Sequence, residues 1–77
     1  MTHPRQSRRL ATTIGGRVRV RRIAVGLTEE AVARALDCAV DDLRAAEQGE
    51  MNFTAEDIVG LCTILRVRPS WFFEGIV

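Results

Sequence analysis

Arginine is the residue on which any chemistry of this 77-residue chain would turn. Seven arginines (Arg5, Arg8, Arg9, Arg17, Arg19, Arg21 and Arg22) fall within the first 25 residues, with no acid among them. Residues 26–77 hold the other four arginines and all ten acids, and lysine is absent. A net charge of +1 thus hides a basic N-terminal third and an acidic remainder. Such asymmetry points to an anionic partner for the basic part. Other reactive side chains are few. His3 is the single histidine, and Cys38 and Cys62 stand far apart without a CxxC pair. A structural zinc site needs about four suitably spaced ligands, which this inventory lacks. No Ser-His-Asp set can be assembled, and no glycine-rich phosphate loop carries a lysine. The chain therefore reads as a non-enzyme with no metal and no cofactor. The two thiols read as small core hydrophobes kept reduced.

A chain of this size hides only about 60% of its extended-chain surface on folding, which leaves little room for an enclosed catalytic cavity. No apolar run approaches the roughly 18 residues that cross a bilayer, and the arginines near the N-terminus are not followed by a signal-like apolar stretch. A cytoplasmic protein without membrane contact is expected.

The elements that must position the arginines are helical. Residues 1–12 are polar and aperiodic and read as a disordered basic arm; residues 13–77 read as the folded domain. Ile14, Val18 and Val25 share one face of a first helix from Thr13 to Val25, with Thr12 or Thr13 as its cap and Gly26 as its stop. A second helix follows Thr28, with Glu29 and Glu30 in its first turn and an apolar stripe of Ala31, Val32, Ala35 and Leu36. After the break Asp37-Cys38-Ala39, a third helix runs from Val40 to Glu47 with Leu43 and Ala46 inward. Thr54 opens a fourth helix, in which Ile58, Leu61, Cys62 and Leu65 recur at helical spacing. Pro69 opens a short fifth helix, Ser70 to Glu74, closed by Gly75. The expected fold is all-α, a compact five-helix domain.

Two short helices separated by about three residues suggest a helix-turn-helix. The register of the whole chain strengthens that reading. Gly15-Gly16-Arg17-Val18-Arg19-Val20-Arg21-Arg22 is followed by Gly26-Leu27-Thr28-Glu29-Glu30-Ala31-Val32-Ala33, then by Leu43 with Glu47-Gln48-Gly49. The chain closes on Trp71-Phe72-Phe73-Glu74-Gly75. Over about residues 13–76 the sequence resembles the phage-repressor (Cro/cI-type, XRE) helix-turn-helix family.

That resemblance implies a nucleoid-associated, DNA-binding transcription regulator. It implies a repressor acting as a dimer, with the third helix in the major groove of double-stranded DNA. It also implies a structural ion pair between Arg22 and Glu47, clamping the third helix to the first. The base-reading positions match Ala39, Val40, Asp41, Asp42 and Arg44. Thr28 matches a phosphate-contacting position, and Asn52 lies in the loop that follows the reading helix. Glu29 departs from the pattern, because it would turn a carboxylate toward phosphate. Asp41 and Asp42 do the same, although acids in a first helical turn are also favoured by the helix dipole. The basic arm can offset this repulsion through Arg5, Arg8 and Arg9, with Arg17, Arg19 and Arg21 adding phosphate contacts.

The aromatic C-terminus looks too crowded for so short a helix to bury. It is expected at a dimer interface comprising Arg68, Pro69, Phe72, Phe73 and Ile76. Val20 and Ile23 should be exposed one turn apart on the first helix. The acidic third helix keeps an alternative open. In that alternative the fold serves as a protein-interaction module, pairing with or antagonising another helix-turn-helix regulator and binding DNA weakly by itself.

Overall fold

A computed structural model describes residues 4–75, with side chains from residue 9 onward. Four α-helices follow in chain order: α1 (Pro4–Ala24), α2 (Glu29–Ala35), α3 (Val40–Glu47) and α4 (Ala55–Leu65). The segment expected as a fifth α-helix is a 3-10 helix, Pro69–Phe73. Five residues opened by a proline sustain the tighter i to i+3 pattern but are too few for several α-helical bonds. The all-α class stands, with four α-helices in place of five.

The first helix also begins earlier than expected, at Pro4 instead of Thr13. Thr13 does not cap it. Its hydroxyl donates to the Arg9 carbonyl at 3.1 Å, a back-bond one turn earlier in the helix. Helical pitch carries Ala11 onto the same inward face as Ile14 and Val18, and Ala11 is buried. Proline at the first helical position needs no hydrogen-bonded N–H there, so it opens the helix without loss.

All four α-helices close the same way. The chain takes one residue into the left-handed region, and the next N–H returns to a carbonyl near the helix end. The left-handed residues are Gly26, Asp37, Gly49 and Arg66. The returning bonds run from Leu27 to Arg22, Cys38 to Ala33, Glu50 to Ala45 and Val67 to Cys62, all 2.9–3.1 Å long. Gly26 is where the sequence places the stop of the first helix. Asp37 and Arg66 show that an ordinary residue occupies the position when the turn beyond it is well anchored. Glycine is required at position 49 for a second reason, since a Cβ there would run into Thr12 of α1. At the other end of α4 a complete capping box forms. Thr54 Oγ1 accepts from the Asp57 N–H, and the Asp57 carboxylate accepts from the Thr54 N–H, both at 3.0 Å.

The core draws on every element: Ile14 and Val18 of α1, Val32 and Ala33 of α2, Leu43 of α3, Leu61 and Leu65 of α4, and Phe72. In α2 the inward pair is Val32 and Ala33, with Leu36 half-buried, whereas Ala31 and Ala35 face solvent. The stripe read from sequence was rotated because alanine carries too little apolar surface to fix the phase of a seven-residue helix. Cys38 and Cys62 are free thiols, half-buried against the core.

Candidate nucleic-acid interface

The position of α3 is set by a buried ion pair and by one glycine. Arg22, near the end of α1, donates from Nε to Glu47 Oε2 at 2.8 Å and from Nη2 to Oε1 at 3.1 Å. Its Nη1 donates to the Leu27 carbonyl at 3.1 Å. The Arg22 and Glu47 side chains are only 9% and 2% exposed, so this fork lies almost wholly out of water. The hydrogen bonds to Glu47 hold the Arg22 guanidinium above its ordinary pKa, against the opposing effect of burial. A short distance along α1, Gly15 lets the two helices touch. A Cβ there would collide with the carbonyl oxygens of Ala46 and Glu47. Glycine ordinarily weakens a helix interior, and here it is the price of that close approach.

With Leu43, Ala46 and Glu47 turned inward, α3 presents Asp41, Asp42 and Arg44 to solvent, Gln48 is exposed just past its end, and Val40 is half-buried against the core. The α2–α3 turn leaves Asp37 and Ala39 exposed beside them. Across the turn, Glu29 meets Arg44 in a second fork. Arg44 donates from Nε to Glu29 Oε2 at 3.2 Å and from Nη2 to Oε1 at 3.0 Å. Asp41 Oδ1 stands 3.5 Å from Arg44 Nη1. This pair lies open to water, with 48% of the Arg44 side chain and 27% of the Glu29 side chain exposed. The Arg44 hydrogen bonds hold the Glu29 carboxyl below its usual range, helped by the fields of Arg22 and Arg19. Glu29 reciprocally holds Arg44 above its ordinary value.

A model of the helix-turn-helix domain matches residues 13–70. The chain belongs to the helix-turn-helix family. No curated protein matches it. Among solved structures it is similar to the restriction-modification controller protein C.AhdI from Aeromonas hydrophila. The two are 28% identical, with a TM-score of 0.74, and the match covers 82% of this chain and 96% of that one. Fold and sequence together place the chain with the phage-repressor-like branch of the family, whose members are DNA-binding transcription regulators. No described helix is long and apolar enough to cross a membrane.

Within this helix-turn-helix, the arginine cluster divides by role. Three of the α1 arginines are structural. Arg22 forms the clamp. Arg21 donates from Nε to the Leu65 carbonyl at 2.9 Å, closing the end of α4. Arg17 donates from Nη1 to the Trp71 and Phe72 carbonyls, both at 3.1 Å, and from Nη2 to the Glu74 carbonyl. Arg17 was expected on phosphate. In the folded chain it holds carbonyls at the end of the 3-10 helix, which commits three of its five N–H donors. Sequence reading could have found these staples only by knowing which helix end lies beside α1. Arg9 and Arg19 stay exposed. The side chains of Arg5 and Arg8 lie outside the described residues.

Thr28 also has a local task, since its Oγ1 caps α2 by accepting the Ala31 N–H at 3.0 Å. Asn52 is exposed beyond α3. Phe72 requires a correction. It was expected at a dimer interface, but it is fully buried and stacks edge-on with Trp71 at 5.1 Å between ring centroids. A 3-10 helix folded against α1 and α4 can bury an aromatic ring that a lone helical turn could not. Phe73 remains 46% exposed, and Arg68 and Pro69 are exposed beside it. Ile76 lies outside the described residues. Val20 and Ile23 are exposed, as expected, at 66% and 54%.

Proposed function

We propose that this chain is a sequence-specific transcription regulator, a repressor acting as a dimer, that sets α3 into the major groove of double-stranded DNA. The observation that carries this reading is the buried Arg22–Glu47 fork. It holds α3 rigidly against α1 with its Asp41–Arg44 face outward and α2 lying across the turn, the docking arrangement of helix-turn-helix proteins. The likeness to a restriction-modification controller protein supports a regulatory role. In this reading Arg44 and Ala39 face base edges, and Arg9, Arg19 and the N-terminal arginines Arg5 and Arg8 neutralise phosphates. Phe73, Arg68, Pro69 and Ile76 contribute to the two-fold contact.

The test is selection of bound duplexes from a random pool at low salt, followed by affinity measurements across salt. A preferred sequence, and an affinity that falls as salt rises, are expected. A flat salt response, or no binding at low salt, overturns the proposal.

One observation favours a second reading. Arg44, the only cation of α3, already faces two carboxylates, those of Glu29 and Asp41. A reading head so nearly neutralised suits a subunit that pairs with a second helix-turn-helix chain carrying the stronger DNA contacts. Light scattering on the purified protein, alone and with DNA, separates the two readings. A homodimer that binds DNA unaided excludes the second.

A further inference from the structure

The Glu29–Arg44 fork uses only one edge of the guanidinium. Nε and one N–H of Nη2 are committed to Glu29. The end-on edge, formed by Nη1 and the second N–H of Nη2, is not used in the fork to Glu29, and Asp41 Oδ1 stands 3.5 Å from its Nη1. Two parallel N–H donors on such an edge match the O6 and N7 acceptors that guanine presents in the major groove. We infer that Glu29 is a positioning residue that orients Arg44 to read a guanine. The inference rests on the DNA-binding reading above and adds to it a base and the residue that selects it.

Three features support an orienting role over a restraining one. First, the pair is open to water at Arg44 and only partly covered at Glu29, and such pairs hold weakly. It cannot keep Arg44 from a stronger acceptor, yet it can choose among the rotamers of an otherwise free arginine before DNA arrives. Second, the two partners sit on different helices of the motif, so the direction of Arg44 follows the rigid α2–α3 angle and not a flexible loop. Third, Glu29 is ionised at neutral pH like any glutamate, and the hydrogen bonds from Arg44, with the fields of Arg22 and Arg19, favour that charged form further. Fixing a donor fork in advance removes rotamer freedom that docking would otherwise have to remove, so less of the contact energy is lost. A carboxylate that repels phosphate is then tolerated because it sharpens which base is accepted.

The experiment compares wild-type, Glu29→Gln and Arg44→Gln proteins on the duplex selected by wild type. Each is also measured on a set of duplexes in which single G·C pairs are changed to A·T, and on an unrelated duplex. Wild type should lose about tenfold in affinity at one particular G·C pair. Arg44→Gln should be indifferent at that pair. Glu29→Gln should bind the unrelated duplex more tightly, since a like charge near phosphate is gone, and should lose most of the discrimination at the same pair. The ratio between matched and changed duplexes cancels net charge and any shared loss of folded protein.

Uniform tightening on every duplex with an unchanged ratio would make Glu29 a mere restraint and overturn the inference. So would a preferred sequence at which neither variant alters any position, and in that case the DNA-binding reading survives. If wild type selects no sequence at all, the broader proposal fails first and carries the inference with it.

Discussion

Two arginine–glutamate forks join helices in this molecule with almost the same geometry and opposite consequences. Arg22–Glu47 links α1 to α3 with Nε–Oε2 and Nη2–Oε1 contacts of 2.8 and 3.1 Å. Arg44–Glu29 links α3 to α2 through the same atom pairs at 3.2 and 3.0 Å. The difference is water. The first pair is closed off, so losing one partner strands a charge; the second is open, so a lost partner is replaced by solvent. Identical chemistry therefore makes a structural clamp in one place and an adjustable surface in the other. A helix-turn-helix needs both: a fixed pose for α3, and a face that can change partners when DNA arrives.

The largest expected break in that comparison is Glu47→Ala. Leaving Arg22 buried without its carboxylate should cost about 3 kcal/mol, near the low end for a buried pair. For a domain of this size that corresponds to a fall in thermal midpoint of roughly 10–20 °C, measured by circular dichroism. A fall of less than roughly 5 °C would place the pair with ordinary surface bridges.

Next in size is the pair of adjacent glycines. Gly15→Ala should destabilise by about 2 kcal/mol despite alanine's better helix propensity, because the backbone of α3 stands where the new methyl must go. Gly16→Ala meets nothing within 4 Å and should stabilise by about 0.5–1 kcal/mol. Opposite signs at neighbouring positions would confirm that the α1–α3 approach is as close as the clamp geometry requires.

The exposed fork should behave differently. Glu29→Ala should leave the thermal midpoint unchanged within error, and a clear fall would show that the α2–α3 angle depends on this pair. The smallest effect is its titration. The Glu29 carboxyl is held below its ordinary value in the folded protein, so any stability it adds is present above the unfolded carboxyl range. That contribution is lost as pH falls through the folded value. Carboxyl-carbon NMR should therefore place the Glu29 midpoint below that of an unperturbed glutamate. In Arg44→Ala the midpoint should move back upward, because the hydrogen bonds from Arg44 are the largest cause of the shift.

Much of this was legible in the sequence because its signals are local. The α3 span, the start of the fourth helix at Thr54 and the stop at Gly26 follow from period and end chemistry within a few residues. Membership in the family was legible too, and with it the Arg22–Glu47 pair, because register over the whole chain fixes which distant residues meet. Where local signals were poor, the reading slipped. Alanine-rich α2 gave a rotated stripe, and an aromatic cluster with no visible partner was assigned to a dimer contact that Phe72 cannot make.

The sequence by itself determined the second, third and fourth helices, the turn between the second and third, and a concentration of positive charge near the N-terminus. Apart from the Arg22–Glu47 pair, the tertiary structure decided what the described arginines do. Arg17 and Arg21 became staples because α1 runs past the carbonyl ends of the 3-10 helix and α4. Arg44 acquired Glu29, fifteen residues earlier, because the α2–α3 turn brings the start of one helix beside the middle of the next. Periodicity reports which way a side chain points from its own helix. Whether it finds water, a carbonyl or a carboxylate there depends on how helices distant in sequence pack, and that is settled by the core.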